Sequence, residues 1–103
     1  MPLDVALLGP DGAPTDVASM RASVHSRLIQ LAQRQRASLL LRLSDFYRDA
    51  AYEPSELPAL AMEVERLLLA SPDDQEVHAF LVRACDLIQQ AQSLGSSLNA
   101  LAD

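Results

Sequence analysis

Few side chains in this 103-residue chain are of a kind that does chemistry, and their spacing suits none of it well. The two histidines, His25 and His78, each lie beside an apolar stripe. Neither has a second His, Cys or Asp at the spacing a zinc ion needs. An imidazole titrates near neutrality and can act as a general base, but a boundary or surface histidine is the ordinary role for such a residue. Asp73, Asp74 and Glu76 bring three carboxylates close in sequence. The alternating oxygen ligands and central glycine of a calcium loop are missing there, and capping of the helix that follows accounts for these acids. Cys85 sits one position off an apolar face with no histidine pattern to activate it, as an inert, partly buried thiol does. Gly9-Pro10-Asp11-Gly12 has two glycines but no following P-loop lysine, so it reads as a turn, and no Gly-x-Ser-x-Gly occurs. No catalytic, cofactor-binding or metal-binding residue is assigned, and no cofactor is expected. The chain is read as a non-enzyme, with a small enzyme built on His25 or His78 ranked last.

One segment remains as a candidate for function. Between residues 45 and 53 stand Asp45, Tyr47, Arg48, Asp49, Tyr52 and Glu53, and 46–52 holds three of the four aromatic rings, Phe46, Tyr47 and Tyr52. In a continuous helix Asp45, Asp49 and Glu53 fall at i, i+4 and i+8, where like charges repel unless neutralised. Arg42 and Arg48 are near enough to do that. Tyrosine and arginine are favoured anchors of protein interfaces, and clustered carboxylates can meet a basic partner. The segment therefore reads as a partner-binding patch. Its plainer alternative is a solvated helix face with tyrosines packed at its edges.

The bulk properties agree with a protein partner. A formal net charge of −6 disfavours phosphate backbones and anionic membranes, which need cationic protein surface. All eight cations are arginine, which reads mainly as the preference of a GC-rich coding sequence; arginine is also the better interface cation because its guanidinium is planar and forked. The single Cys85 excludes an internal disulfide and fits a reducing compartment. No basic leader or long apolar run is visible, so the expected location is the cytoplasm.

The elements that must position this patch follow from periodicity. One domain over 1–103 is expected. Residues 3–18 read as a β-hairpin around the 9–14 turn, 19–94 as a helical body, and 95–103 as either a tail or a third strand. The body divides into four helices, about 19–36, 38–52, 55–70 and 72–94. Ser19, Ser55 and Ser71 are the expected N-caps. Gly95 is the expected left-handed stop. Leu57, Leu60, Ala61, Val64, Leu67 and Leu68 form one apolar face, leaving Glu56, Glu63 and Arg66 outside. The expected fold is α+β but mostly α: four packed helices with a short N-terminal hairpin.

Several stretches carry a resemblance. These are Leu3-Asp4-Val5-Ala6-Leu7-Leu8 with the following Asp11-Gly12 turn, His-x-x-Leu-Ile at His25, the closing LNALAD, and above all RLSDFYRDAAYEPSELPAL. Together they resemble small bacterial immunity proteins encoded beside polymorphic or contact-delivered toxins of the type VI or Rhs kind. That resemblance implies a protein that binds a cognate toxin in the producing cell and blocks it, and the acidic patch sets the expected mechanism, occlusion of a basic active cleft on the toxin. It extends over most of the chain. The rival reading is a secretion chaperone or adaptor with a non-toxin client, and a homodimer fits that class because Met62 and Leu69 lie off the main stripe of their helix.

Overall fold

Alternation puts Leu3, Val5 and Leu7 on one side of an N-terminal strand, and all three are buried in the computed structural model, which describes residues 3–8, 14–45 and 48–101. This strand, β1 (Leu3–Leu8), pairs antiparallel with β2 (Pro14–Met20). Of the expected 9–14 turn, residues 9–13 lie outside the described residues, and Pro14 is the first residue of β2 instead. Two further strands, β3 (Ala50–Tyr52) and β4 (Leu98–Leu101), complete one antiparallel sheet in the order β2-β1-β4-β3. The registers align Val17, Ala6, Asn99 and Ala51 in one row across it.

Three α-helices complete the fold: α1 (Ala22–Arg34), α2 (Leu57–Ala70) and α3 (Gln75–Leu94). α3 lies against β2, β1 and β4, while α1 and α2 pack against α3. Leu81, Leu87 and Ile88 of α3, Leu57, Val64 and Leu67 of α2, and Leu28 of α1 are all but fully buried with Leu3 and Leu98 of the sheet. Each such side chain contributes roughly 1.5–3 kcal/mol of transfer free energy. The radius of gyration, 12.5 Å, is close to the ~13 Å of a single 100-residue domain.

A four-helix domain with a short hairpin is therefore not what forms: the described residues make three α-helices and a four-stranded sheet. The departure is concentrated in 38–52, expected as a helix. Arg36 ends α1 in the left-handed region at φ 55°. Its N–H donates to the Gln33 carbonyl at 3.3 Å and that of Ala37 to Ala32 at 2.9 Å. This is the paired 5→2 and 6→1 arrangement of a Schellman stop, with the buried Ala32 and Ala37 as its apolar contact. The chain then makes only a 3-10 turn, Leu40–Leu43.

That turn is held by groups from distant elements. The Glu63 carboxylate of α2 accepts the N–H groups of Leu39 at 3.2 Å and Leu40 at 3.0 Å. His25 of α1 donates Nε2–H to the Leu43 carbonyl. The Tyr52 hydroxyl donates to the Leu39 carbonyl at 2.6 Å. With these groups satisfied from outside, the backbone does not need a helical ladder. Residues 50–52 instead pair with β4, sending Tyr52 inward.

Smaller corrections have local causes. Ser19 does not cap α1; it lies in β2 and its hydroxyl donates to Asp4 at 2.6 Å. A 3-10 turn, Pro54–Glu56, precedes α2, and Ser55 lies inside it. α3 is capped by Asp74, which accepts from the Val77 N–H at 3.2 Å. Ser71 donates to the Leu67 carbonyl at the end of α2 instead. Gly95 does end α3 in the left-handed region at φ 63°. Among the described residues no helix is long and apolar enough to cross a membrane.

Candidate binding surface

The candidate patch is built outward from Arg42, at the exposed side of the 3-10 turn. Its Nη1 donates to the Ala51 carbonyl at 3.0 Å and to Glu56 Oε1 at 2.8 Å, while Nη2 donates to Glu56 Oε2. A planar fork can hold a carboxylate and a strand carbonyl at once, which an ammonium does less well. The guanidinium also lies over the Tyr52 ring, 5.4 Å from its centroid, in cation–π range. Glu56 Oε1 accepts the Glu53 N–H at 3.0 Å as well. The hydrogen bonds from Arg42, and then that from Glu53, hold the Glu56 carboxyl down to about 2.

Beside this knot runs an open depression of about 620 Å³, lined by Arg42, Ser44, Asp45, Arg48, Asp49 and Ala51 among others. Asp45, Arg48 and Asp49 are exposed and thus share one concave surface along the β3 edge. Asp45, Asp49 and Glu53 do not fall on one helical line, because residues 50–52 between them are the strand β3. Glu53 is exposed at the start of the Pro54–Glu56 turn. Tyr52 is not on this surface: it is 1% exposed in the core. Its burial pushes the phenol well above its usual range, with Arg42 pulling the other way. Tyr47, with Phe46, lies outside the described residues.

The other reactive side chains have structural work. His25 is buried and tied to Leu43, whereas His78 is exposed on α3. Asp74 takes Arg27 Nε at 2.9 Å besides capping α3, and Glu76 takes both Arg27 and Arg21. The Cys85 thiol is half-buried and pushed up by that burial and then by Glu65, which keeps it protonated. Among the described residues no three His, Cys, Asp or Glu side chains gather as a metal site would need.

A second concave surface has no signal in local sequence. A groove of about 550 Å³ runs between β2 and the first half of α3, walled by Val17, Met20, Val24, Ala79 and Phe80. Arg21 with Glu76 and Arg83 with Asp16 form ion pairs along it. Residues 16 and 83 meet only through the tertiary fold, which no periodicity reveals. Compared with family models, characterised proteins and solved structures, the chain matches none.

Proposed function

We propose that this chain acts by binding, not catalysis, as an immunity-type protein that inhibits a cognate bacterial toxin by covering its basic active cleft. The observation that carries the reading is the depression along the β3 edge, where Asp45, Asp49 and Arg48 stand together around the Arg42–Glu56 knot. A surface held by a bidentate ion pair and a buried tyrosine loses little conformational freedom on binding, which favours affinity. The net charge of −6 favours rapid encounter with a basic partner. The resemblance of RLSDFYRDAAYEPSELPAL to immunity proteins supplies the toxin as that partner.

Co-expression with the product of the adjacent upstream gene, scoring growth and co-purification together, tests the reading. Rescue of growth with a one-to-one complex is the expected result, and a harmless neighbour that does not bind overturns it. Replacing Asp45 and Asp49 together by arginine is expected to weaken the complex by about thirtyfold or more, at roughly 1–2 kcal/mol per interfacial charge. The far-ultraviolet circular dichroism should stay unchanged. Wild-type affinity in a folded double variant would move the interface elsewhere.

The chaperone or adaptor reading is favoured by a different observation, the exposure of Met62 (68%) and Leu69 (84%) on α2 and of Val82 on α3. It requires binding of a client segment without protection of growth.

A further inference from the structure

The sheet order leaves two edges, β2 and β3, and each is closed by an arginine at the same row. On the β3 edge, Arg42 donates to the Ala51 carbonyl at 3.0 Å. On the β2 edge, Arg83 Nη2 donates to the Val17 carbonyl at 3.1 Å, and the Val17 N–H donates to Asp16 Oδ1 at 2.9 Å. Both polar groups of Val17 thus go to side chains and not to β1. Carboxylates hold both arginines: Glu56 holds Arg42, while Asp16 at 2.6 Å and Asp86 at 2.9 Å hold Arg83. Gln90 donates to the far oxygen of Asp16 at 2.9 Å. An uncovered edge strand is a template for another strand, and these bridges occupy it.

The two edges are not equal once uncovered. β3 has three residues and one outward row, whereas β2 has seven residues. By strand alternation Ser19 presents its N–H and C=O on the same edge as Val17. We propose that the Arg83–Asp16 bridge is a latch on a self-association edge, and that the strand it excludes is β2 of a second copy. Pairing two β2 strands antiparallel about Ala18 matches Val17 of each copy with Ser19 of the other, so both outward residues find partners. Ala18 meets its own copy at the two-fold, where a small side chain suits the close approach of a non-hydrogen-bonded pair. Asp16 then faces Met20 and Thr15 faces Arg21, so no like charges stand opposite one another. The apolar groove beside β2 lies next to the new pair and adds area to it.

Sedimentation equilibrium on the wild-type chain, Arg83→Ala and Asp16→Ala, up to millimolar concentration, tests the latch. The wild type is expected to be monomeric, and either variant to dimerise at least about tenfold more tightly, as expected when hydrogen bonds are added at a freed edge. Adding Val17→Pro, which removes an outward N–H that β1 does not use, should return Arg83→Ala to monomer. Two results overturn the proposal: folded variants that stay monomeric, or a dimer that survives Val17→Pro. The second result would assign self-association to another face, such as that of Met62 and Leu69. Asp16→Ala keeps the test open if Arg83→Ala fails to fold.

Discussion

Glu63 is the residue whose role differs most from its appearance in sequence. On the apolar stripe of α2 it counts as an outside position, yet it is 9% exposed and accepts two backbone N–H groups. Its partners lie 23 and 24 residues earlier and are main chain, so no side-chain pattern marks them. Glu63→Ala is expected to destabilise the fold by about 2–4 kcal/mol, the cost of leaving one buried and one half-buried donor unsatisfied. Glu63→Gln, which keeps one acceptor oxygen, should cost about half of that. Urea unfolding measures both. Tyr52 gives a parallel case, since a tyrosine in an acidic, arginine-rich segment invites an interface role. Its hydroxyl points to the Leu39 carbonyl instead, and Tyr52→Phe should cost about 1 kcal/mol in the same assay. The Glu56 carboxyl, held at about 2 against an ordinary 4.5, contributes stability that is fully present above pH 4.5. That contribution is lost as pH falls from there towards 2. An NMR titration of Glu56 should find this low value in the wild type and one nearer 4.5 in Arg42→Ala.

At the scale of elements, the legible ones were those whose signals are local. α2 and α3 each follow a long apolar stripe, and Gly95 stops α3 because glycine takes a positive φ at little cost. The 38–52 segment was misread because the same stop at the end of α1 is made by Arg36, a residue with no such preference. Leu39, Leu43 and Ala50 keep a helical period, while β3 is too short for its alternation to show. The two stops give opposite predictions. Arg36→Gly relieves a strained side chain and is expected to stabilise by up to about 1 kcal/mol. Gly95→Ala meets no atom within 4 Å but keeps φ at 63°, so backbone strain alone should cost about 1 kcal/mol. Thermal unfolding of the two variants distinguishes them by sign.

For the whole molecule, the hidden part is whatever joins elements remote in sequence. The candidate patch was legible as a set of residue types at Asp45, Arg48 and Asp49, but its shape depends on Glu56 and Ala51 holding Arg42. Both sheet edges are likewise closed by arginines that meet their partners only in the fold. An arginine-only cation set, readable from composition as a preference of the coding sequence, thereby has a structural use: a fork reaches a carboxylate and a carbonyl together. Arg42→Lys is expected to keep the Glu56 charge pair but loosen β3, and hydrogen exchange at Leu98 and Ala100, which face Tyr52 and Ala50 of β3, would show it as faster opening.

The place of β4 in the sheet has a consequence for biosynthesis. Among the described strands β4 comes last in the order of synthesis, yet it sits between β1 and β3 and is the only described neighbour of β3 in the sheet. A nascent chain that has emerged as far as Gly95 already holds all the described helices but only one of its three described strand pairings. The β1–β2 pair must then wait with its inner edge uncovered, and β3 has no described strand to pair with. Closure of the sheet therefore waits for β4, and the window in which a chaperone can divert this chain stays open until that strand has emerged.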